Sequence, residues 1–126
     1  MAKEKIENYI VKCEQEVITT IFNNPINVEE CATSLDTTDF LDERHAKIFG
    51  AILEIHLSSQ KQINKNTVTD FIANNDKWQF DNWSSYLDEL ASGFAYEEDL
   101  KANLELIKKL ELFDDKSANF VCVITL

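Results

Sequence analysis

Two glycines, Gly50 and Gly93, and one proline, Pro25, are the only breakers in a chain of 126 residues. Sheet-rich folds reverse direction often, and tight reversals draw on Gly and Pro. A chain this poor in both is built for a few long helices. The same scarcity removes whole classes of chemistry. A P-loop cradles phosphate with two glycines at fixed spacing followed by Lys and Ser or Thr. Gly50 and Gly93 cannot supply that motif or a dinucleotide fingerprint. Hydrophobic residues make up 44% and charged residues 28%, which suits a globular chain and not a disordered one. This length is room for one domain, which buries about two-thirds of its unfolded surface.

Apolar spacing predicts six helices. The first is expected over residues 12–24, with Ile10, Val17, Ile18, Ile21 and Phe22 on one stripe and Pro25 closing it. A short second helix over 28–35 points Val28, Cys31, Ala32 and Leu35 inward. The third is the best defined. Asp42 is a good N-cap, and His45, Ile48, Phe49, Ile52, Ile55 and His56 then share a face; Phe40 precedes it in the core. Asn64 or Asn66 caps a fourth helix carrying Val68, Phe71 and Ile72. A fifth over 83–92 turns Trp83, Tyr86, Leu87 and Leu90 inward, with Gly93 as a C′ residue.

The sixth helix, over 96–113, carries Leu100, Leu104, Leu106, Ile107, Leu110, Leu112 and Phe113 around more than one side. A second apolar side wants a partner, so Leu100, Leu104, Leu106, Ile107 and Leu110 are the candidate interface. Full packing of this helix in its own bundle is the plainer alternative. The domain is expected over 1–113. The tail, 114–126, is of uncertain structure, and Phe120 to Ile124 within it reads as strand-like.

The net charge of −11 excludes electrostatic binding to nucleic acid, which needs a cationic surface that releases phosphate counterions. A basic protein partner fits better. Cys13, Cys31 and Cys122 are odd in number and widely spaced, as in a reducing compartment and not a disulfide scaffold. The first residues lack the apolar core of a signal peptide, and no apolar run reaches the ~20 residues that span a bilayer. A cytoplasmic location follows.

Several groups look like chemistry. His45 and His56 share a helix face, but the rise per residue separates them by roughly 16 Å, too far for one metal ion. Asp42 and His45 form a single i, i+3 pair, where a di-metal bundle needs two and further Glu; capping by Asp42 and packing of His45 is the plain reading. Cys31 lies on an apolar face, where thiols are inert. Glu97-Glu98-Asp99 complements the positive end of the sixth helix. Trp78 and Trp83 could stack on bases, but without surrounding Lys and Arg they fit a core or interface better. No catalytic, metal or cofactor residue is expected in this chain.

Cys13-Glu14-Gln15-Glu16-Val17-Ile18, Asn24-Pro25, Asp39-Phe40-Leu41-Asp42-Glu43-Arg44-His45-Ala46-Lys47-Ile48-Phe49-Gly50-Ala51-Ile52, Ile63-Asn64 with Thr67-Val68, and Tyr86-Leu87 with Leu90 stand in one order. Over roughly residues 8–110 they resemble the N-terminal domain of DnaB-type replicative DNA helicases. Thr19, Asn82-Trp83, Asp99 and Asn103 depart from that pattern, the first three where the family carries glycine. The resemblance implies an all-α fold: a compact orthogonal bundle of about six helices, the last extending toward a partial helical hairpin. It implies a non-catalytic interaction and oligomerisation module, a collar on the helicase ring that docks a primase or helicase loader. Self-association as a dimer, or as a hexamer in the full-length protein, is implied too. ATP and Mg belong to a separate motor domain. The alternative is a free-standing helicase regulator or adaptor of the same fold, for example from a phage or mobile element.

Overall fold

The computed structural model describes residues 2–58 and 62–115, with side chains from Glu4 to Lys109. Six α-helices order these residues: α1 (Ala2–Asn23), α2 (Val28–Ser34), α3 (Glu43–Ser58), α4 (Lys65–Ala73), α5 (Trp83–Ser92) and α6 (Leu100–Asp115). No strand occurs among the described residues. The all-α class read from the sequence is the class observed. The strand-like stretch from Phe120 lies outside the described residues.

Local chemistry sets the boundaries. The α1 helix begins about ten residues before the expected start, at Ala2. Ile6 and Ile10 continue the stripe of Cys13, Val17 and Ile21 at helical spacing and pack on the same core, and the charged residues between them are good helix formers. Asn24, in extended conformation, stops the helix and caps the Pro25–Asn27 turn with its side chain. Asp42 caps α3 by accepting the Arg44 N–H at 2.9 Å. A reciprocal capping box joins Asn64 and Thr67 at the start of α4. The fifth helix is entered through Asn82, whose φ of 62° is the only positive value at a non-glycine residue among those described. The left-handed region favours Gly and tolerates Asn. Asn82 thus occupies one of the positions where the resembled pattern has glycine.

Gly93 does not act as a left-handed cap. Its φ of −78° and ψ of −179° are extended, because the chain leaves α5 as a strap across the end of α1. Thr19 Oγ1 donates to the Leu90 carbonyl at 3.0 Å, and Asn23 Nδ2 to the Gly93 carbonyl at 3.3 Å. The strap ends in a short Glu97–Asp99 turn that leads directly into α6. The acidic triplet therefore stands at the N-terminal end of that helix.

The core lies where α1, α3, α5 and α6 meet, with α1 packed chiefly along α6. Val17, Ile18, Ile21, Phe40, Ile48, Phe49, Ile52, Val68, Tyr86, Leu87 and Leu90 are all buried in it. Phe71 is half-buried and packs on its edge, since α4 is short and presents that position toward solvent. Phe40 and Phe49 make a tilted ring pair at 5.0 Å. On the far side of α3, Gly50 faces the Trp78 ring so closely that a Cβ there would overlap it. The indole N–H of Trp78 donates to Glu54 at 3.0 Å.

Candidate functional site

A carboxylate stands on the apolar stripe of α1. Glu14 falls between Ile10 and Ile18 and has 0% exposure, as does His45 of α3. Glu14 Oε1 accepts from His45 Nδ1 at 2.8 Å and from the Asp42 N–H at 3.3 Å. Its Oε2 accepts the Leu41 N–H at 2.7 Å. The other face of the imidazole meets α5, with His45 Nε2 and the Tyr86 hydroxyl 2.6 Å apart. Gln15 Nε2 donates to that hydroxyl at 3.1 Å.

One proton arrangement satisfies every group. The Tyr86 oxygen accepts from Gln15, so its single proton goes to His45 Nε2. His45 then carries its proton on Nδ1 and donates it to the ionised Glu14. Among the described residues, no buried side-chain polar atom lacks a partner.

A histidine between a carboxylate and a hydroxyl is also the layout that activates a nucleophile. The resemblance ends at the hydroxyl. Tyr86 is 8% exposed, its oxygen is taken by Gln15, and the Arg44 guanidinium lies 4.1 Å from its ring centroid. Burial pushes the phenol pKa up, against the hydrogen bond from Gln15 and the charge of Arg44. A hydroxyl held neutral and covered is a fastener. The network ties α1, α3 and α5 at one point, and every unpaired member would carry a desolvation cost. Arg44 is positioned by Asp42, through contacts of 3.0 and 2.7 Å. Burial works to raise the Asp42 carboxyl, but the hydrogen bonds from the Arg44 side chain and N–H and the Arg44 charge hold it below its ordinary range.

The remaining lookalikes disperse. His56 is half-exposed and not on the buried face; its Nε2 lies 3.2 Å from Glu29. Burial, then the nearby Glu30, pushes the Cys31 thiol up to about 12. Burial, then Glu16 and Glu14, pushes Cys13 up to about 11. Both are buried, reduced and unsuited to nucleophilic work. No group of His, Cys, Asp and Glu among the described residues is arranged to hold a metal ion.

The candidate interface of α6 needs correction. Leu100, Leu104 and Ile107 are sealed in the chain's own core, because α1 covers that side along its length. Leu106 is half-buried at the core edge, and the Leu110 side chain lies outside those described. The broad spread of leucines thus serves the bundle first. Exposed apolar surface lies elsewhere: besides Tyr9 and Leu57 it includes Phe94 (74% exposed) and Tyr96 (59%) in the strap and Ile26 (77%) in the turn after α1. Sequence reasoning passed over the last three, and over Glu14. For Glu14 a signal existed, since a lone carboxylate on an apolar stripe demands a partner.

The fold and its buried network define a small helical domain whose ionisable groups hold helices together. The chain belongs to the DnaB-like helicase N terminal domain family, whose model matches residues 6–109. No curated protein matches the chain. The matched span runs from the start of the core stripe of α1 into α6 and includes Glu14, His45 and Tyr86. No helix among the described residues is long and apolar enough to cross a membrane.

Proposed function

We propose that this chain is a non-catalytic interaction and oligomerisation module of a replicative DNA helicase, acting in DNA replication in the cytoplasm. It would sit in the ring collar and dock a primase or helicase loader. Membership of the helicase N-terminal family over residues 6–109 carries the reading. Two features support it. The groups that resemble catalytic parts are spent on joining helices, and the net charge of −11 disfavours a DNA backbone and favours basic protein partners. ATP and Mg would act in a motor domain, and neither nucleic acid nor membrane would be a direct partner.

Self-association would use the outer side of α6, where Leu106 remains partly open and Leu110 follows one turn on. Sedimentation over a wide concentration range tests it. The expected result is a reversible symmetric dimer of micromolar affinity that Leu106→Glu weakens. A strict monomer at high concentration, unchanged by that substitution, would refute the oligomerisation half. Micromolar binding to single- or double-stranded oligonucleotides at low salt, where charge effects are strongest, would refute the acidic-module half.

A further inference from the structure

The strap between α5 and α6 encloses a cleft with the end of α1. Thr20, Asn23 and Asn24 line one wall and Phe94, Tyr96 and Glu97 the other, around about 270 Å³. The wall is fixed, not draped. Asn23 Oδ1 accepts the Ala95 N–H at 3.4 Å, and Asn24 Nδ2 donates to Glu97 Oε2 at 3.3 Å. Phe94 and Tyr96 meet edge to face at 5.0 Å, which holds two largely exposed rings together at the rim. Single exposed apolar residues are ordinary; a locked aromatic pair beside a cleft is a recognition surface.

The charged side chains that line it are acidic. The residues that line the cleft fall within 20–27 and 94–98, and none of them is Lys, Arg or His. Glu97 and Glu98 are its charged members, and Asp99 follows them in the chain; Glu29 is taken by His56, and Glu30 lines a separate groove with Lys101, Lys108 and Lys109. No lysine or arginine among the described residues pairs with Glu97, Glu98 or Asp99. The last turn of α1 carries no basic residue, so the negative end of its dipole faces the cleft uncompensated. Exposed ring faces, carboxylates and a helix C-terminus all favour a cation.

We propose that this cleft docks a cationic, amphipathic segment of a partner protein, placing an Arg or Lys over Phe94 and Tyr96 and an aliphatic neighbour against the same ring pair. The inference names the partner chemistry for the docking role above and rests on that role. It uses a surface separate from the outer side of α6, so the two fail independently.

The test is a titration of the intact chain with three labelled peptides of equal length: alternating Leu and Arg, alternating Leu and Glu, and alternating Gly and Arg. Only the Leu–Arg peptide should bind well. Phe94→Ala with Tyr96→Ala should weaken it by about tenfold or more, as loss of cation–π contact implies. Glu97→Lys with Glu98→Lys should do the same, while Asp70→Lys, on α4, should not. Both rings are largely exposed, so the variants should keep the parent's melting temperature. Equal binding of the Gly–Arg peptide, or equal weakening by Asp70→Lys, would reduce the effect to net charge and overturn the proposal. So would indifference to the aromatic pair. Sedimentation of the double alanine variant without peptide completes the test. Loss of a self-associated form there would make the occupant a second copy and refute the partner assignment, whereas unchanged association leaves the α6 reading to its own experiment.

Discussion

Removing the Glu14 carboxylate should be among the most damaging single changes in this chain. Glu14→Ala leaves the His45 Nδ1–H without its acceptor at 2.8 Å and strips the Leu41 and Asp42 N–H groups of theirs. An orphaned buried donor costs about 1–3 kcal/mol, and three such costs arise together here. These overlap, since water can reach the two loop N–H groups, so the expected loss is about 3–5 kcal/mol. Against a domain stability of about 5–15 kcal/mol, that is a fall in Tm of roughly 10–20 °C. Glu14→Gln separates charge from shape. Both carboxylate oxygens accept from backbone, so either amide orientation sets an NH2 group against an N–H. The expected cost is about 1–3 kcal/mol. Guanidinium denaturation followed by circular dichroism measures both variants. A cost below about 1 kcal/mol for Glu14→Ala would refute the claim that this network fastens the helices.

Asn82→Gly should be neutral or stabilising by up to about 1 kcal/mol, and Asn82→Ala destabilising by a similar amount, because φ is 62° and the side chain makes no capping bond; thermal melting orders the three. Gly50→Ala should destabilise by about 1–3 kcal/mol despite a better helix propensity, since the new methyl group meets the Trp78 ring, and a changed indole fluorescence would report the displacement. Cys13 and Cys31 should ignore a thiol reagent at pH 8 until the chain is unfolded. Burial favours their neutral form, so their contribution to stability holds below the ordinary thiol value of 9.0 and declines as pH rises above it. Phe49→Ala should cost about 3–5 kcal/mol in the same denaturation assay, as the ring is fully buried.

Much of this molecule was legible before folding. Scarce breakers, helical spacing and caps at Asp42 and Asn64 are local properties, and they specify six helices, all but α1 close to their observed bounds. His45, Ile48, Phe49 and Ile52 declared one face of α3 because a helix repeats every 3.6 residues whatever it packs against. Periodicity says which face is buried and never what lies opposite. The pairing of Glu14 with His45 spans 31 positions and that of His45 with Tyr86 spans 41; only the packing of α1, α3 and α5 brings them within hydrogen-bonding distance. The leucines of α6 show the same limit. Their spread announced an apolar helix, but whether the cover was α1 or a second chain depended on where α1 lies, and α1 takes Leu100, Leu104 and Ile107 into the core. The aromatic cleft was decided at the same level. Phe94 and Tyr96 are two rings in a short loop until Asn23 and Asn24 pin that loop across the end of a helix.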